Sequence, residues 1–311
     1  MHLAQSLRLE LLRQGKLEPF LGFFDCFSAT IASQFSSNLF YSGFGFAASY
    51  YGLPDNGYIS WSDMAQAVWR VRQILPEHRL LVDIDDGYAD SQVACRVAME
   101  LDAMGVAMVM LEDQGRPRRC GHADGKIVIP LNDYIAKLNA VLSQRRALCV
   151  LARTDAQGDE IYRRVEAIQK TEADAVLVDG ITSLEVLERV RSLTDKPIAF
   201  NQIAGGKSPR VSSSELRAMG CSVHIYSTPM LFAAQAAMTE AMREIQDADG
   251  RLPEAKEGWP GVMDCTALLQ GNLPSDLMRL SKALQSADKM ACNNATSGTV
   301  GKEEEVVTVI Y

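Results

Sequence analysis

At 311 residues the chain suits one large α/β domain or two modest ones, with ample length for a core. Its 31 basic and 39 acidic residues give a formal net charge of −8 with no basic stripe, which argues against nucleic acid or an anionic membrane surface as partner. A hydrophobic content of 47%, no apolar run of transmembrane length and no signal-like N-terminus lead us to expect a cytoplasmic globular protein.

In chain order, strands are expected at Phe20–Asp25 and Phe40–Phe44, then a helix at Trp61–Leu75. Strand Leu80–Asp85, helix Asp90–Met104, strand Val106–Glu112 and helix Leu131–Leu142 follow. Next come strand Leu148–Thr154, helix Glu160–Thr171, strand Ala175–Asp179, helix Ser183–Ser192, and strands Ile198–Asn201 and Val223–Tyr226. The helices show apolar residues at helical spacing; the strands are short apolar runs. Eight strands with helical crossovers predict a closed (β/α)8 TIM-type barrel, and no Gly-x-Gly-x-x-Gly turn follows the first strand to favour a dinucleotide fold. Beyond the eighth strand lie a helix (Met230–Ile245), a Pro/Gly-bearing connection (Arg251–Val262) and a helical stretch (Ser275–Ser286). We expect a barrel over 1–245, a helical extension over 246–290 and a flexible tail over 291–311.

The chemistry concentrates where the fourth strand ends. Glu112 and Asp113 close an apolar run, and Arg118, Arg119, Cys120 and His122 follow within ten residues. A thiol beside three potentially cationic side chains in a glycine-bearing loop is placed to ionise and exchange protons. Asp83 and Asp85, Glu112, Arg153 and Asp155, Asp179 and Asn201 end successive strands, and barrel strand ends converge on one face. Seven cysteines without paired spacing read as reduced thiols, and His2, His78 and His224 have no ligand spacing.

Taken in order, Tyr41-Ser42-Gly43, Gly52-Leu53-Pro54-Asp55, Asp83-Ile84-Asp85-Asp86-Gly87-Tyr88, Glu112-Asp113-Gln114, Arg119-Cys120-Gly121-His122, Ala152-Arg153-Thr154-Asp155 and Asn201 resemble the isocitrate lyase and phosphoenolpyruvate mutase superfamily. The Cys-Gly-His loop is the mark of its lyase branch. The resemblance, over about residues 15–240, implies Mg²⁺ (Mn²⁺ as an alternative), small 2-oxo or 2-hydroxy acids, and a homotetramer or dimer that exchanges C-terminal helices. Asp83, Asp85 and Glu112 are then the candidate metal ligands, a hard-oxygen set suited to Mg²⁺. Cys120 is the candidate proton donor, with Arg118, His122, Arg153 and Asp179 as further catalytic candidates. Tyr41, Ser42, Gly43, Asp55, Gly121 and Asn201 are the candidate substrate-binding positions.

The expected activity is cleavage of a methylisocitrate- or malate-like 2-hydroxy acid to a 2-oxo acid and a carboxylate. The alternatives are an oxaloacetate hydrolase, a phosphonopyruvate-processing enzyme, or a non-catalytic carboxylate-binding or scaffold protein. Four departures bear on the choice. Arg118 stands where lyase relatives usually carry Lys, Asp179 where Glu is usual, Asp86 where Thr is usual and Phe44 where Gly is common. An arginine does not lose its proton, so any base role of that lysine is gone while its charge remains.

Overall fold

Strands that are apolar on both faces must be covered on both faces, and here two layers of side chains do so. The computed structural model describes residues 2–13, 15–252, 256 and 258–277. Two units partition the chain, Met1–Glu257 and Gly258–Tyr311. The expected tail over 291–311 and most of the Ser275–Ser286 stretch lie outside the described residues.

The first unit runs α1 (Leu3–Leu11), β1 (Glu18–Phe23), α2 (Cys26–Ser33), β2 (Asn38–Tyr41), α3 (Gly43–Phe46), α4 (Trp61–Ile74), β3 (Arg79–Asp83), α5 (Ser91–Ala103) and β4 (Met108–Glu112). It continues through α6 (Leu131–Gln144), β5 (Cys149–Thr154), α7 (Glu160–Gln169), β6 (Ala175–Val178), α8 (Leu184–Leu193), β7 (Ile198–Ile203), α9 (Ser213–Ala218), β8 (Cys221–Ser227) and α10 (Pro229–Asp247). The eight strands pair in sequence order, all parallel, and β8 returns to β1 with Glu18 opposite Val223. The expected (β/α)8 barrel is therefore the fold. Among the described residues the second unit contains α11 (Val262–Gln270), which begins where the expected connection ends and lies within the span expected as a helical extension.

Strand alternation sorts the core into two layers. Phe20, Phe40, Leu81, Met108, Met110, Cys149, Leu151, Leu177, Val223 and Ile225 point into the barrel and pack on one another. Their strand neighbours Leu39, Val82, Val109, Val150, Val176 and Phe200 point outward and pack beneath the helices.

Three differences from the expected elements have local causes. The second strand stops at Tyr41 because the Ser42 hydroxyl accepts from Gly45 N–H at 3.2 Å and starts α3. Helix α2 was hidden in a short apolar run, yet Asp25 and Ser28 form a reciprocal cap at its start. Helix α1, also unanticipated, closes the N-terminal mouth of the barrel. Its Ala4, Leu7 and Leu11 recur on one face and join the barrel's inner layer. Arg8 holds it there, pairing with Asp174 at 2.6 Å and donating to the carbonyls of Ala147 and Leu148.

Leu7 is fully buried, so Leu7→Ala removes a plug side chain and leaves a cavity. We expect a loss of about 2–5 kcal/mol in denaturant unfolding, with the barrel's far-ultraviolet circular dichroism retained.

Candidate active site

The inward parity of each strand, extended past its last apolar residue, builds the site. On β4 the sequence of inward positions is Met108, Met110, Glu112; on β5 it is Cys149, Leu151, Arg153, then Asp155. The same rule brings Asp83 and Asp85 from β3, Asp179 from β6, Asn201 from β7 and Ser227 from β8 to the C-terminal mouth. All of these polar side chains are buried.

Two arginines sit among the carboxylates. Arg118, with 1% of its side chain exposed, donates from Nε to Glu112 at 2.6 Å, pairs with Asp85 at 3.1 Å and binds Asp55. Arg153 pairs with Glu112 at 3.2 Å, Asp155 at 2.8 Å and Asp179 at 2.9 Å. Lys126 adds an ammonium 2.8 Å from Asp155. Six carboxylates (Asp55, Asp83, Asp85, Glu112, Asp155 and Asp179) thus face three basic side chains.

The shortage of positive charge falls on the β3 side. Burial pushes Asp85 up to about 8 despite Arg118, with Asp83 and Asp55 adding repulsion. Both Asp85 oxygens are buried without a hydrogen-bond donor, and its contact with Arg118 is an ion pair only. A side chain at residue 43 would put Cβ 3.0 Å from Asp83 Oδ2 and 3.3 Å from Asp85 Oδ1, so Gly43 keeps the space beside this pair open. Among the described residues no group of three or more His, Cys, Asp or Glu side chains is arranged to hold a metal ion. An oxygen-rich, under-neutralised pair beside open space suits a hard cation that retains waters.

Opposite, Asp179 has the reverse environment. Burial would raise it, but Arg153, His122 and the amide of Asn201 (3.0 Å) hold it well below the usual carboxylate range. His122 Nδ1 accepts from the Lys207 N–H at 3.0 Å, which leaves the ring proton on Nε2, 3.4 Å from Asp179. Gly121 passes so close to Asp179 and Arg153 that any side chain there would collide with both.

Cys120 is the thiol of this loop, and its surroundings differ from the expectation. Arg118 is turned to Asp55 and Glu112, and Arg119 is exposed because Gln114 grips its backbone at both N–H (3.0 Å) and C=O (2.8 Å). Burial and Asp55 push the thiol up to about 11, so it is held protonated.

One candidate, Tyr41, and one motif residue, Asp113, face away from the mouth by parity. Tyr41 points outward, stacked on Phe23 with ring centroids 4.5 Å apart, and is a packing residue of the helix layer. Asp113, beside Glu112, also points outward, taking Arg164 at 2.9 Å, Thr154 Oγ1 at 2.5 Å and Asp155 N–H at 2.9 Å. Asp86 is taken up as a bidentate partner of Arg116, both contacts 2.9 Å. His224, buried on the outer face of β8, is satisfied by Ser213 and Gln202, and burial pushes it down to about 4.

Residues 8–246 match the sequence family described as phosphoenolpyruvate phosphomutase. The chain belongs to that family. It is 28% identical over 291 residues to the 2,3-dimethylmalate lyase of Eubacterium barkeri, covering 91% of this chain and 96% of the relative. It is 32% identical over 220 residues to the 2-methylisocitrate lyase of Bacillus subtilis (strain 168), covering 68% of this chain and 72% of the relative. A crystal structure of 2,3-dimethylmalate lyase in a trigonal form matches with a TM-score of 0.82 at 28% identity, covering 97% of this chain and 99% of that one.

Within the phosphomutase-family barrel, sequence reasoning missed three residues that help hold the site. Lys126, Lys207 and Ser227 lack a motif; Lys207 closes on Asp124 at 2.6 Å, and Ser227 donates to Asn201 at 2.6 Å. Strand parity was the signal available for Ser227; nothing comparable marked the lysines.

Two measurements follow from this geometry. Asp113→Asn removes one of the two carboxylates on the buried Arg164, which keeps Glu160 at 2.9 Å, and should cost about 1.5–3 kcal/mol of stability in denaturant unfolding. Alkylation of Cys120, followed by peptide mass spectrometry, should be slow at neutral pH and climb as pH rises toward 11, since the thiolate is the nucleophile. A fast, pH-flat reaction between pH 6 and 8 would contradict a protonated thiol.

Proposed function

We propose that this chain is a divalent-metal-dependent carbon–carbon lyase. Its substrate class is a small 2-hydroxy di- or tricarboxylic acid of the substituted-malate or methylisocitrate kind, cleaved to a 2-oxo acid and a carboxylate. The observation that carries this reading is the division of the mouth: an under-neutralised acidic pair on β3 faces a protonated thiol and a paired Arg153–Asp179 across the barrel. The named lyases among the relatives support it.

Asp83, Asp85 and Glu112 would hold Mg²⁺ or Mn²⁺, which when bound supplies Lewis-acid polarisation at the oxygen on C2. The chain's own residues do the rest. Ser42 and the Gly43 backbone orient the oxo-acid end, and Asn201 the second carboxylate, with Arg153 as a charge held in fixed orientation by Asp155 and Asp179. The hydroxyl proton goes to the carboxylate cluster, the carbon–carbon bond breaks, and its electron pair stays on the carboxylate fragment. Cys120 Sγ then gives its proton to that carbanion. A thiol held protonated by burial and by Asp55 is suited to donating.

Oligomer formation belongs to the same reading. In its support, none of the 19 residues of α10 is buried, and Met238 and Met242 on it are exposed. Among the described residues no helix is long and apolar enough to cross a membrane. A second reading, a carboxylate-binding protein without turnover, draws on one observation: Arg118 fills the acidic cluster where lyase relatives usually carry lysine.

Product formation separates the two. With Mg²⁺ and a panel of 2-methylisocitrate, isocitrate, substituted malates, oxaloacetate and phosphonopyruvate, proton NMR should show cleavage of at least one hydroxy acid. Cys120→Ser should lower that turnover by about two orders of magnitude or more with KM little changed. Turnover of none of the panel by a folded, Mg²⁺-loaded protein would leave the binding reading standing.

A further inference from the structure

The acidic cluster already contains a cation that belongs to the chain. Arg118 reaches Glu112 through Nε, Asp85 through one terminal nitrogen and Asp55 through the other, and it is almost completely buried. A lysine would bring one compact charge; the guanidinium is a planar fork that spreads over three carboxylates at once. We propose that Arg118 is a resident competitor of the divalent cation, so that metal gains Asp85 and Glu112 only as the guanidinium gives them up. The inference rests on the reading above that Asp83, Asp85 and Glu112 take a metal.

Three observations carry it. The fork lies between Asp55, Asp85 and Glu112, and with it there no three of the described carboxylates are arranged to hold a metal ion. The guanidinium serves its partners unequally: Glu112 receives hydrogen bonds, whereas Asp85 keeps two buried oxygens without a donor. Asp85 is therefore the point at which a second cation has most to gain. Finally, both neighbours of Arg118 are held, Arg116 through its side-chain fork on Asp86 and Arg119 through the Gln114 grip on its backbone, so the guanidinium is presented to the cluster from a tethered segment.

The physical consequence is a metal affinity set by an internal equilibrium. A monovalent guanidinium and a divalent ion a few ångströms apart repel strongly at low dielectric, so the two do not share the same oxygens. Each metal that binds must displace contacts already made. The site is thereby protected from collapse when empty of metal, and the metal concentration needed to load it is raised.

The test is Mn²⁺ binding to the full chain without substrate, read as free Mn²⁺ by electron paramagnetic resonance, with folding checked by circular dichroism. Arg118→Gln should bind Mn²⁺ tighter than the parent by about tenfold or more, and Arg118→Lys should fall between them. Lys126→Gln removes a nearby cation that pairs with Asp155 and not with Asp83, Asp85 or Glu112, and should tighten binding less than Arg118→Gln does. Equal tightening by the two Gln variants would overturn competition for shared oxygens and leave only long-range charge. If Arg118→Gln does not fold without metal, Arg118→Lys, which keeps the charge, decides: tighter Mn²⁺ binding supports the proposal and unchanged or weaker binding overturns it. Mn²⁺ binding of equal strength by all forms overturns competition alone, while no binding by any form overturns the metal reading as well.

Discussion

The structure depends on burying more negative than positive charge at one end of a barrel. Ionised carboxylates taken out of water are costly unless each finds a cation or a set of donors, and that requirement accounts for the placement of nearly every polar group at the mouth. Arg153 and Lys126 neutralise the Asp155–Asp179 side, Asn201 donates to Asp179, and His122 lies 3.4 Å from it. Arg118 neutralises most of the other side but leaves Asp85 with repulsion from Asp83 and Asp55. The two halves therefore differ in what they still lack: one is closed and oriented, the other retains an appetite for positive charge.

The same constraint explains why buried charge also appears outside the mouth. Asp113 follows Glu112 in the chain and is equally inaccessible, but it points to the helix layer and is answered there by Arg164 of α7. Because Asp113 also accepts from the backbone of Asp155, the outward pair fixes the segment from which Arg153 and Asp155 project inward. At the opposite mouth, Asp174 gathers Arg8 and Arg145 and the Val150 N–H, tying the plug helix to β5 and β6. Charge that does no chemistry thus sets the positions of charge that can.

Much of this was legible in the sequence because barrel geometry is periodic. Once the strands were located, the polar residues ending them had to converge, and Asp83, Asp85, Glu112, Arg153, Asp179 and Asn201 do. What failed was orientation, which a one-residue change of parity reverses: Tyr41 sits beside inward-facing neighbours yet points outward. The ionisation of Cys120 was misjudged for a related reason. Three cations close in sequence are close in space to different things, and Arg118 and Arg119 are both drawn away from the thiol by partners distant along the chain or clamped on the backbone. Helices α1 and α2 escaped because one or two turns of apolar residues carry too little periodicity to distinguish a helix from a loop.

The Asp86–Arg116 fork has a meaning for anyone moving segments between this protein and its relatives. Asp86 lies in the turn after β3 and Arg116 in the loop after β4, 30 residues apart, and Arg116 also donates to the Tyr88 and Gly57 carbonyls. The two loops are thus one unit of inheritance. A chimera that imports the β4 loop from a protein with threonine opposite it would strand Asp86 without its guanidinium, next to an acidic pair already short of positive charge. A graft that respects this architecture carries both loops across together, or neither.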